Sequence, residues 1–119
     1  MLRAILRFHG HGSLKFLYRN ARTFRSRYFA LKIIDNPKRP QSRYAVVISK
    51  KVHKSAVGRN RIRRRLYEIL RSENEKVRDI HDIALIVTSG EAINVDQQEL
   101  VTMIRELLSQ AGIYPSDNH

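Results

Sequence analysis

The sequence contains no cysteine. That excludes a disulfide scaffold, thiolate-bound zinc and a cysteine nucleophile, and it suits a reducing compartment. No apolar run approaches the ~20 residues that cross a bilayer. Acidic residues are nearly missing from positions 1–71, where only Asp35 and Glu68 stand against 20 Lys and Arg, a net charge of +18. Positions 72–119 reverse the balance, with three Lys and Arg against nine acids, a net of −6. Over all 119 residues the sum is +12. Solubility alone does not require such segregation, so the first part reads as a surface for a polyanion. The last third reads as domain closure.

An apolar fraction of 42% is enough for a core, which argues against a disordered basic tail. The length fits one domain over 1–119, with residues 1–12, which carry His9 and His11 between glycines, expected as a flexible arm. The polyanion is expected to be nucleic acid rather than a membrane. Neither a lipidation motif nor a basic amphipathic helix with a wide Trp/Phe/Leu face is present. Residues 1–34 carry arginine and no acid, as a mitochondrial transit peptide does. They run without a break into a strand-like segment, so a folded region and a cytoplasmic location are expected instead.

Ser13 is placed to cap a helix over about 14–21, with Leu14, Leu17, Tyr18 and Ala21 on one face. The alternating runs Tyr28–Ile34 and Arg43–Ser49 read as strands joined by the turn cluster 35–40, hence as a hairpin. Ile62, Leu66, Ile69 and Leu70 give a buried stripe to a helix over about 56–72. The run Ile83–Thr88 suits a strand covered on both faces. A last helix starts at Asp96, with Glu99 completing a capping box, and stops at Gly112. Phe16, Phe24 and Tyr44 read as core aromatics. The expected class is α+β, in the order α-β-β-α-β-α.

Six of the residues from 59 to 71 are arginine. Projected at ~100° per residue, Asn60, Arg64, Tyr67 and Arg71 fall opposite the apolar stripe, flanked by Arg61, Arg63 and Arg65. A merely solvated helix face would need acidic partners, and only Glu68 is available. Guanidinium forks bind phosphate bidentately and stack on bases, so a nucleic-acid face is the better reading. DNA and RNA stay open at this point.

The run Lys50-Lys51, then Ala56-Val57, then Arg59-Asn60-Arg61-Ile62-Arg63-Arg64 resembles the signature of the bacterial ribonuclease P protein component. Length, element order and charge distribution are similar as well. The resemblance implies an α/β sandwich with a mostly antiparallel central sheet and a left-handed βαβ crossover, against the general rule of handedness. It implies a protein subunit of an endoribonuclease whose catalysis belongs to an RNA using Mg²⁺, with no catalytic or metal-binding residue in the protein. The reaction is removal of the 5′ leader of precursor tRNA. By resemblance, Lys50, Lys51, Arg59, Asn60, Arg61, Arg63 and Arg64 face the catalytic RNA, joined by Arg65 and Arg71. Leu14, Tyr18, Tyr28, Ala30 and Lys32 fall in the leader cleft, with Tyr67 either stacking on a base or packing on the sheet. One monomeric protein per RNA subunit is implied.

Three positions depart from the family pattern. Leu14 replaces an aromatic, and Tyr67 stands where arginine is common. His53 stands where glycine is usual, and one extra residue lies between Lys51 and Arg59.

Two other classes compete. A protein-borne nuclease would draw on Asp79, His81 and Asp82, with His53 near the basic loop, but none has a partner at metal-ligand spacing. A polar turn is the simpler reading of 79–82. His9 and His11 are compatible with a stray metal, though a mobile arm explains them as well. A ribosomal or architectural RNA-binding protein fits the composition equally, and only the ordered motif at 59–64 separates the two.

Overall fold

The computed structural model describes residues 6–7, 11–36, 41–77 and 79–114. Along the chain come β1 (Leu6–Arg7), α1 (His11–Asn20), β2 (Arg22–Arg25), β3 (Phe29–Asp35) and β4 (Arg43–Val47). They are followed by α2 (Ala56–Asn74), β5 (His81–Val87), a 3-10 turn (Gly90–Asn94) and α3 (Gln97–Gln110). The strands form one sheet in the order β1-β4-β5-β3-β2. The ladders β2·β3 and β3·β5 are antiparallel, and β1·β4 and β4·β5 are parallel. The class is therefore mixed α+β, with the longest ladder, β3·β5, antiparallel and the next, β4·β5, parallel.

The expected hairpin over 28–49 is not formed. β5 lies between β3 and β4, so these two strands never pair, and β4-α2-β5 is a parallel crossover unit. The hairpin is instead β2–β3, with Phe24 opposite Leu31. β5 can occupy the interior because its run is apolar on both faces, as a doubly covered strand requires. The expectation of an arm over 1–12 also changes, since Leu6–Arg7 pairs with Arg43–Tyr44 and α1 begins at His11. Ser13 thus sits in the first turn of α1 and not at its cap. His9 lies outside the described residues.

Cross-strand partners share a face, and the two faces of the sheet are unequal. Phe29, Leu31, Ile33, Tyr44, Val46, Ile83 and Leu85 meet the apolar sides of α2 and α3 in the main core. Within α2 the expected stripe, Ile62, Leu66, Ile69 and Leu70, is buried, and Gly58, Tyr67 and Glu73 are buried with it. Each residue of the stripe contributes about 1.5–3 kcal/mol by leaving water. The opposite face has a small second cluster, in which Leu17 of α1 is buried on Ala45 and Ala84.

Helix ends follow their chemistry. Ser55 caps α2, its hydroxyl accepting from the Gly58 N–H at 3.1 Å. Asp96 caps α3 by accepting from the Gln98 N–H at 3.2 Å, as its position in the sequence predicts. Gly112 follows α3 with φ of 75°, the left-handed stop that favours glycine. The far end of α2 is tied to α3 through Glu73, which is 2% exposed and accepts from Arg105 Nε at 2.9 Å and Tyr114 Oη at 2.6 Å.

Candidate nucleic-acid interface

α2 presents its cations from a rigid base. Arg61 and Arg64 are exposed, and among the described residues neither makes a hydrogen bond or ion pair. Arg63 Nη1 donates to Asn60 Oδ1 at 2.7 Å, which aligns two members of the motif on one helix face. Arg59 turns back and donates through Nη1 to the carbonyls of His53 at 2.8 Å and Lys54 at 2.9 Å. It braces the loop that carries the exposed Lys50 and Lys51. That loop is also pinned from outside, since a Cβ on Gly90 would stand 2.5 Å from the Val52 carbonyl oxygen.

Two arginines of the expected RNA face are otherwise engaged. Arg65 donates through Nε to Gln97 Oε1 at 2.8 Å, through Nη1 to Ile93 O at 3.1 Å and through Nη2 to Val95 O at 2.6 Å. It fastens α2 to the 3-10 turn and the start of α3, because the helix turns position 65 toward the apolar stripe. Arg71 is largely covered, pairs with Glu68, and has its Nη1 buried. The open cationic face is thereby narrowed to Arg61, Arg63 and Arg64, with Lys50 and Lys51 beside it.

Between these side chains runs a groove of about 370 Å³, lined by Val57, Asn60, Arg63, Arg64 and Tyr67. Val57 is 70% exposed at its rim. Tyr67 packs on the sheet: it is 8% exposed, and its Oη accepts from the Val46 N–H at 3.1 Å. β1 ends opposite Tyr44, so the phenol satisfies a backbone donor at the open edge of β4. Tyr67 therefore forms a wall of the α2 groove and does not stand in the α1 cleft.

The residues expected in that cleft divide into surface and floor. Tyr18 is 42% exposed, with Lys32 Nζ lying 5.7 Å from its ring centroid. Lys32 also donates to Thr23 Oγ1 at 2.9 Å, which holds the ammonium beside the ring. Burial raises the Tyr18 phenol above its ordinary pKa, so it stays neutral at physiological pH. Ala30 is buried on the same sheet face as Lys32 and can serve only as floor. Tyr28 is also buried, edge-on to Phe29 and packed with the main core, under the Arg27 guanidinium. Leu14 belongs to α1, but its side chain lies outside the described residues. Phe16 corrects the core assignment: it is 59% exposed, because it falls off the Leu14/Leu17/Tyr18 stripe.

His81 and Asp82, two residues of the competing nuclease, are engaged in structural pairs. His81 and Asp82 point to opposite sides of β5. His81 Nδ1 meets Asp35 Oδ1 at 2.9 Å, and Asp82 takes a bidentate pair from Arg43 and a bond from Asn36. Among the described residues no group of three His, Cys, Asp or Glu could hold a metal ion.

A family model described as Ribonuclease P matches residues 2–112. The chain belongs to the ribonuclease P protein family. It is similar to the ribonuclease P protein component of Synechococcus sp. (strain WH7803), 33% identical over 130 aligned positions covering 97% of this chain and 99% of that protein. The corresponding protein of Pseudanabaena sp. (strain PCC 6903) is 33% identical over 97 positions, covering 82% and 83%. The fold matches the Staphylococcus aureus RNase P protein with a TM-score of 0.80 at 20% identity, over 92% of this chain and 97% of that one. The Thermotoga maritima RNase P protein matches with 0.77 at 20% identity, over 87% and 96%. As a ribonuclease P protein, the chain is the protein subunit of an endoribonuclease whose catalysis is carried by RNA, acting in 5′ maturation of tRNA. It associates with the ribonuclease P RNA. No helix among the described residues is long and apolar enough to cross a membrane.

Proposed function

We propose that the two basic surfaces divide the work of the holoenzyme, the α2 groove docking the RNA subunit and the α1 cleft holding the precursor tRNA leader. The observation that carries this reading is the Tyr18–Lys32 pair at 5.7 Å. A ring for a base stands beside a cation for a phosphate, on the sheet face away from the main core. Such a pair holds a single strand with little sequence preference, which suits leaders of varied sequence. The α2 arginines, set on a rigid helix with few acidic neighbours, suit the phosphate-dense surface of folded RNA.

One protein serves one RNA subunit in this reading, and the location is the cytoplasm. Mg²⁺ belongs to the RNA. The protein's part in this reading is binding and orientation, with the chemistry left to the RNA. The test is reconstitution. Protein alone should leave precursor tRNA intact, and addition of the RNA subunit with Mg²⁺ should give 5′ maturation. With the holoenzyme, Tyr18→Ala should weaken precursor tRNA more than mature tRNA; equal loss for both would contradict the leader cleft.

A further inference from the structure

The α1 helix has a second aromatic that neither surface uses. Leu17 points into the sheet, and at ~100° per residue Phe16 and Tyr18 lie on opposite flanks of it. Tyr18 leans toward Lys32, whereas Phe16 stands in solvent at 59% exposure. It sits in a shallow recess of about 270 Å³ lined by Lys15, Phe16, Arg19 and Asn20. Asn20 is held there by donating through Nδ2 to the Phe16 carbonyl at 2.9 Å.

Three features point to one ligand chemistry. Lys15 and Arg19 are a like-charge i,i+4 pair on a helix without a single acid, an arrangement that destabilises an isolated helix. Among the described residues neither has an ion-pair partner. Between them stands a large flat ring that gains nothing from water. An unpaired nucleotide satisfies all three, its base stacking on Phe16 and its phosphates meeting Lys15 and Arg19.

We propose that Phe16, Lys15 and Arg19 form a stacking platform for an unpaired nucleotide of the ribonuclease P RNA, separate from both the leader cleft and the α2 groove. The RNA subunit is the occupant because this flank faces away from Lys32, the cation of the proposed leader cleft. The inference rests on the family assignment, and its choice of occupant on the proposed leader cleft; its test keeps the two apart.

The chain has no tryptophan, so Phe16→Trp creates a unique fluorophore at the platform. Titration with RNA subunit should quench its emission, while Ser109→Trp on exposed α3 should be unaffected. Phe16→Ala and Phe16→Leu should each lower affinity for the RNA subunit by about 5- to 100-fold, the range expected when one base–aromatic stack is removed. Because the ring is exposed, thermal unfolding should stay close to that of the parent protein. Unchanged RNA affinity of Phe16→Ala overturns the proposal. So does full binding by Phe16→Leu, which would mean apolar packing without stacking. Loss confined to precursor-over-mature tRNA discrimination also overturns it, by moving the interaction to substrate.

Discussion

The imidazole of His53 lies against Gly58, so close that a Cβ at position 58 would stand 2.2 Å from His53 Cε1. His53 Nδ1 also accepts from the Ser55 N–H at 3.2 Å, and its carbonyl accepts from Arg59. The residue that departs from the family's glycine thus closes the loop onto the start of the arginine helix. The missing side chain at Gly58 makes room for it.

This close approach predicts an interaction between two substitutions. Alanine in place of Gly58 gains about 1 kcal/mol of helix propensity. In the parent protein that gain is cancelled or reversed, because the imidazole must leave. In a His53→Ala background Gly58→Ala should stabilise. A denaturant double-mutant cycle should return a coupling of at least ~0.5 kcal/mol; additive effects would rule the close approach out.

Tyr67→Phe keeps the ring and removes the acceptor of the Val46 N–H. The buried donor is left unsatisfied, at a cost of roughly 1–3 kcal/mol in urea unfolding. RNA affinity of the folded variant should change little, because the ring that walls the groove is kept.

Arg64 and Arg65 are neighbours with opposite expectations. Arg64→Ala should leave stability nearly unchanged and reduce the log–log salt slope of RNA binding by about 0.7–0.9 for each phosphate the guanidinium neutralises. Arg65→Ala should leave the slope unchanged and lower stability, since it frees Ile93 O, Val95 O and Gln97. Matched salt titrations and melts of the two variants check both. A reduced slope for Arg65→Ala would mean that its guanidinium leaves the 3-10 turn for RNA.

Glu73 predicts an acid limb. Burial raises its pKa, but hydrogen bonds from Tyr114 and Arg105, with the charges of Arg105 and Lys76, outweigh it and hold the carboxyl below its ordinary value. A depressed carboxylate stabilises the fold above its unfolded pKa, near ~4.3 for glutamate, and that contribution disappears as pH falls through the folded value. Glu73→Gln should cost roughly 1–3 kcal/mol at neutral pH and flatten the acid limb of a stability-versus-pH curve. An unaltered limb would place the titration elsewhere.

The helices were the legible part of the sequence, and strand pairing was not. The stripe from Ile62 to Leu70 and the cap at Asp96 are local signals, and both are realised within a residue or two. The β3–β4 hairpin failed because β5, far along the chain, takes the place between them. β2 went unread since Arg22–Arg25 is a short edge strand whose only apolar residue is Phe24. Arg59–Arg64 lie on α2 as expected, and Lys50 and Lys51 precede it in the loop. Arg65 and Arg71 were assigned to RNA because charge is visible in sequence, whereas the carbonyls of Ile93 and Val95 that claim Arg65 belong to an irregular turn. For Phe16 the helical spacing, which sets it off the Leu14, Leu17 and Tyr18 stripe, is the better guide to exposure than its aromatic character.

The small cluster beneath Leu17 sets how α1 lives in solution. Among the described residues, Leu17, Ala45 and Ala84, with Ala21 and Ile34 at the margin, form the apolar attachment of α1 to the sheet, separate from the main core. An apolar anchor of this size predicts that α1 opens without global unfolding. Its amides should exchange with deuterated solvent well before those of α2 and α3, and RNA should slow α1 most. The element proposed to touch two RNA strands is thus the one that can yield and settle against them while the rest of the protein stands still.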